Sequence, residues 1–144
     1  MRIGFISSLF GYLRPAENIG VAAFANEKNS QIIKTSEASP GDVIIFLGTG
    51  RDNLYNHILV ITAVEKRNNN TCISYAHSYA WPSDGSTGHG VRSGEILVRD
   101  ENLINAIWME KNITGALNYT YESACTAQKI SVHRFKFNFK NRDF

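Results

Sequence analysis

The sequence predicts an α+β domain in which N-terminal helices pack on a small antiparallel sheet. Three observations lead there. Between residues 5 and 13 the apolar side chains of Phe5, Ile6, Leu9, Phe10, Tyr12 and Leu13 recur at helical spacing. Two short β-branched and aromatic runs, residues 43–47 and 58–64, sit between turn-forming segments. The helical pattern comes first and the strand pattern follows, the order of segregated helices and antiparallel strands rather than of alternating β-α units.

Taken in order, the first helix stops at "RP", residues 14–15, and residues 18–27, "NIGVAAFANE", read as a second short helix with Asn18 as its cap. "IIKTSEASPGD" is a connector into the first strand. "GTGRDNLYN" is a loop, residues 58–64 form the second strand, and "KRNNN" turns into a third, "TCISYAHSYA". The glycines and Pro82 make "WPSDGSTGHGVRSGE" a loop leading to a fourth strand at 96–98. "ENLINAIWMEKN" reads as a short helix. Near the end, His133, Phe135, Phe137 and Phe139 alternate with Val132, Arg134, Lys136 and Asn138 at the period of a half-buried strand.

The bulk properties fit one domain over residues 1–144. With 43% hydrophobic and 11% aromatic residues the chain can bury a single core. A net charge of +2 without any block of like charges gives no nucleic-acid signature. Cys72 and Cys125 are far apart and form no C-x-x-C pair. No apolar run approaches the roughly 20 residues that span a bilayer. The opening "MRIGFISSLFGYL" and the "AFA" at 23–25 have the outline of a signal peptide, but Arg14 and Glu17 interrupt it, and the helix reading is preferred.

Chemistry centres on the histidines at 57, 77, 89 and 133. His57 opens the second strand and His77 lies in the third, so antiparallel neighbours can set the two imidazoles side by side. Such a pair suits nucleophilic catalysis: one imidazole takes a proton while a second polar group holds its tautomer and orientation. Two other readings stand beside it. Both residues can be ordinary strand histidines bonded to backbone, or they can ligate a metal with Asp84 and His89 as further ligands. No metal or other cofactor is expected.

The succession "SPGDVIIF", "NHILVITAVE", "ISYAHSYA", "GVRSGEILV" and "NAIWMEKN" resembles the NlpC/P60 family of papain-like cysteine peptidases, over residues 4 to about 115. The resemblance implies a papain-like fold, a first helix packed on the sheet with the cleft between them, and cleavage of peptide bonds in the stem peptides of peptidoglycan. It matches the Pro-Gly-Asp turn before the first core strand to Pro40, Gly41 and Asp42, the catalytic histidine to His57 and the orienting residue to His77. The family's nucleophile lies in an Asp-Cys-Ser-Gly-Phe-like motif. Here Gly4 and Phe5 match its end, which sets Arg2 where the cysteine belongs, and arginine is no nucleophile.

Three expectations follow: a chain that begins inside that motif, a pseudoenzyme that binds peptide or cell-wall fragments without cutting them, or a permuted-type thiol hydrolase that uses Cys125. Tyr55, Asn56, Trp81 and Asp84 are candidate substrate contacts around His57. Asp42 is expected to fix its turn, Trp108 to be core, and Cys72, five residues before His77, to point to the opposite face. Peptide or peptidoglycan is the expected partner, and the compartment is extracytoplasmic if an export signal lies upstream.

Overall fold

The structure, a computed structural model, describes residues 20–79, 90–110 and 118–136. Among these residues one seven-stranded sheet dominates. Strands β1 (Ser30–Ile33), β2 (Val43–Thr49), β3 (Tyr55–Arg67), β4 (Asn70–Ser78), β5 (Val91–Val98), β6 (Ile107–Glu110) and β7 (Lys129–Phe135) lie side by side in the order β1-β7-β2-β3-β4-β5-β6. Every neighbouring pair is antiparallel. Among the described residues two short α-helices accompany it, α1 (Val21–Phe24) and α2 (Tyr119–Thr126).

This overturns the expected α+β, papain-like arrangement of N-terminal helices on a small sheet. The helix expected over residues 5–13 lies outside the described residues. The one expected over 18–27 shrinks to a single turn, because the carbonyls of Ala23 and Phe24 are taken by Asn29 Nδ2 (2.8 Å) and Ser30 Oγ (2.6 Å), which swing the chain into β1. β1 ends inside the segment that reads as a connector, sharing Ile32 and Ile33 with it. The helix expected over 101–112 is instead a 3₁₀ turn, Leu103–Asn105, followed by β6. There Trp108 is buried while Ile107 and Met109 are exposed, a period of two that fits a sheet edge and not a helix face. The C-terminal strand is described over Lys129–Phe135 and is inserted between β1 and β2, while Phe137 and Phe139 lie outside the described residues.

The turn before β2 forms as its residues dictate. Pro40 and Gly41 occupy its central positions, Gly41 at φ +93°, and Asp42 N closes it on Ser39 O (3.1 Å). Asp42 accepts from Ser39 N (2.8 Å) and takes both arms of the Arg134 guanidinium at 2.9 and 2.8 Å, so the turn is tied to β7. Asp42 therefore fixes the turn, as expected.

Alternation along the strands divides the core between two faces. On one, Ile44, Phe46, Leu59, Ile61, Ile73, Tyr75, Ile96 and Trp108 are buried together with Ala124 of α2. On the other, Val43, Ile45 and Ile58 pack with Phe24 of α1. Burying each large aliphatic or aromatic side chain contributes about 1.5–3 kcal/mol, so the α2 face carries most of the apolar stabilisation. It is also the face that holds the histidine pair.

Candidate active site

His57 and His77 do meet. Continuing the register past Val60↔Ala76 sets His57 opposite Tyr79 and diagonal to His77, and the rings close that diagonal with His57 Nε2 2.7 Å from His77 Nδ1. Tyr79 lies against both imidazoles, its ring centroid 4.7 Å from that of His57 and nearly parallel to that of His77. The Tyr79 hydroxyl is 2.8 Å from Ser123 Oγ, which anchors this aromatic cover to α2. Phe46 flanks His57 from β2.

Behind His77 stands a residue that sequence reasoning missed. Glu110, at the end of β6, lies 3.1 and 3.2 Å from His77 Nε2 through its two carboxylate oxygens. Both side chains are fully buried. The carboxylate also accepts from Tyr75 OH (2.7 Å) and from Arg92 Nε (2.9 Å). The register explains how residues of three strands converge. His77 faces Arg92, Tyr75 faces Gly94, and Gly94 in turn faces Glu110. Tyr75 thus reaches across β5 to a residue two strands away, and it does so over a glycine. A Cβ on Gly94 would collide with the Tyr75 hydroxyl and stand 2.6 Å from its Cζ.

The electrostatics follow from this packing. Burial pushes His57 from its ordinary 6.5 to about 3, with His77 adding to the fall and Glu110 opposing it, so His57 is a neutral, desolvated imidazole. Burial alone would raise Glu110, but hydrogen bonds from His77 and Tyr75, together with the nearby Thr120 hydroxyl, hold it at about 2, so it is ionised. Thr120 Oγ1, at the start of α2, is buried without a hydrogen bond of good geometry, and its influence on Glu110 is that of a nearby dipole. Burial and the Glu110 charge push the Tyr75 phenol well up, so it stays a donor.

The other sequence-predicted residues fall in different places. Tyr55 is exposed, and its ring passes close to Gly50. Asn56 turns its oxygen to Gly48 N (2.9 Å) and braces the irregular end of β2. Trp81, Asp84 and His89 lie outside the described residues, as do Met1, Arg2, Gly4 and Phe5. Trp108 is core, with Nε1 on Leu103 O (2.8 Å). Cys72 is buried, and Cys125 is exposed in the last turn of α2, away from the helix N-terminus from which a dipole assists a thiolate. Among the described residues no group of three or more His, Cys, Asp or Glu is arranged to hold a metal, and no helix is long and apolar enough to cross a membrane. An open groove of about 460 Å³, lined by Ile33, Leu103, Ile130 and Val132 among others, lies between β1, β7 and the 3₁₀ turn and includes none of the site residues.

Glu110 carried a usable signal. In "IWME" the core residue Trp108 is two positions away, so reading the segment as a strand turns Glu110 inward beside it. Comparison with family models, with curated proteins and with solved structures finds no match.

Proposed function

We propose that His57 is the general base of a cysteine-peptidase-type hydrolase, of the NlpC/P60 kind that acts on peptidoglycan stem peptides. One observation carries the reading: a neutral imidazole whose Nε2 is engaged by a second imidazole, itself backed by a buried carboxylate. That leaves Nδ1 for the proton of a nucleophile. The nucleophile's proton moves to His57 Nδ1 as it attacks the peptide carbonyl. His57 then returns the proton to the leaving amine nitrogen as the C–N bond breaks, and water hydrolyses the acyl intermediate by the same exchange. Desolvation opposes the charge gained by His57, and the anion formed by the nucleophile and the Glu110 carboxylate behind the pair offset that cost. The residues that carry the resemblance, Pro40-Gly41-Asp42, His57 and His77, support the substrate class.

The test is release of stem-peptide fragments from purified cell walls by the chain as it stands, by Arg2→Cys, and by Arg2→Cys combined with His57→Ala. Release by Arg2→Cys, falling about 10²–10⁴-fold in the double variant, is the expected result. Equal release with and without His57 would sink the base assignment. Binding of the fragments by all three proteins without cleavage would favour a non-catalytic module. Cleavage by the unmodified chain that disappears in Cys125→Ser would move the nucleophile to α2.

A further inference from the structure

We infer that Glu110 is a positioning residue: clamped by Arg92 and Tyr75, its carboxylate fixes both imidazoles as Nε2–H tautomers and leaves His57 Nδ1 as the pair's only free ring lone pair. The inference deepens the proposed base role and rests on that reading for its catalytic meaning alone. An ionised carboxylate only accepts, so the nitrogen 3.1 Å from it, His77 Nε2, must donate. A neutral imidazole carries one N–H, so His77 Nδ1 is a lone pair. The nitrogen 2.7 Å away, His57 Nε2, must then donate to it, and His57 Nδ1 is left unprotonated. Putting a second proton on His77 instead would place a cation beside the desolvated His57, although Arg92, 2.9 Å from the carboxylate, already balances Glu110. The clamp is built for one geometry. Tyr75 and Arg92 occupy the carboxylate from two strands, and bare Gly94 lets the tyrosine cross.

The third buried histidine serves as an internal reference. Ser30 Oγ donates to Phe24 O (2.6 Å), so it accepts from His133 Nδ1 (2.8 Å), and His133 Nε2 accepts from Ser131 Oγ (2.8 Å). His133 is therefore an Nδ1–H tautomer. Long-range ¹⁵N–¹H correlation of the imidazoles in the full chain near neutral pH reads all three directly. The expected result is Nε2–H at His57 and His77 and Nδ1–H at His133, with the first two scrambled in Glu110→Leu, which has no acceptor, and retained in Tyr75→Phe. A wild-type His77 that is doubly protonated or Nδ1–H overturns the inference, and so do unchanged tautomers in Glu110→Leu. If Glu110→Leu does not fold, the wild-type pattern still decides. Expected tautomers in a variant that cuts nothing would count against the peptidase reading and not against this one.

Discussion

Among the described residues there are two buried histidine networks, one on each face of the sheet, and they end differently. His133 is enclosed by Ser30 and Ser131, and the Ser30 hydroxyl passes its proton to a backbone carbonyl. Both ring nitrogens are bonded to neutral hydroxyls, while burial, with Lys129 nearby, pushes His133 below its ordinary range. The His57 network ends in an ionised carboxylate at one side and, among the described residues, no hydrogen-bond partner for Nδ1 at the other. A closed network braces a fold, whereas one with a charged end and an open end can move a proton. Spacing along the chain does not separate the two; what terminates each network does.

The sharpest way to break the contrast is to remove the charged end. Glu110→Ala leaves Arg92, Tyr75 and His77 without their shared acceptor, and breaking such a buried pair should cost about 3 kcal/mol or more. Urea unfolding reads this directly, and a loss below about 1 kcal/mol would show that water replaces the carboxylate.

Acid should reveal the same network next. His57 has its folded pKa depressed from 6.5 to about 3. The unfolded chain therefore binds a proton that the folded chain refuses, and the stability present above pH 6.5 drains away as pH falls toward 3. Glu110, depressed from 4.5 to about 2, adds a loss that begins near 4.5 and continues to about 2. The acid limb of unfolding should begin near pH 6.5 and steepen below 4.5. His57→Gln should reduce the stability lost between pH 6.5 and 4.5, leaving the share of His133, which burial also lowers, and an unaltered loss over that range would contradict the depressed value.

On the other face the effect should be smaller. Ser30→Ala removes one hydrogen bond from His133 and one from Phe24 O, a cost of about 1–2 kcal/mol, with no change in the tautomers of His57 and His77. Coupling of this substitution to Glu110→Ala in a double-mutant cycle should be near zero, and a clear coupling would mean that the faces communicate through the sheet.

How much of this was legible beforehand follows from range. β2, β3 and β4 show as short apolar runs between turn residues, and the turn chemistry of Pro40, Gly41 and Asp42 is local, so both could be read. The pairing of His57 with His77 needed only neighbouring strands. Glu110 could not be placed without knowing that β6 is a strand: "NLINAIWME" carries helix-forming residues, and edge pairing with β5 overrides that propensity. β1 was hidden because four residues, Ser30–Ile33, become a strand only when β7 arrives from the far end of the chain. α2 has little helical pattern of its own over Tyr119–Thr126. Asn118, which accepts from Tyr121 N (3.0 Å), extends it to eight residues.

The strand order also sets a sequence of events in time. His57 and His77 are 20 residues apart, and His77 and Glu110 are 33 apart, along a meander from β3 to β6 in which each strand pairs with the next. Ser30 and His133 are separated by 103 residues, and β7 must return to lie between β1 and β2 before they can meet. Closing the longer loop costs more chain entropy and comes later. Pulse-labelled amide exchange during refolding should find β3 to β6 protected before β1 and β7, so that the imidazole pair is assembled while the rest of the sheet is still open. Simultaneous protection of all seven strands would show instead that the sheet forms in one concerted step.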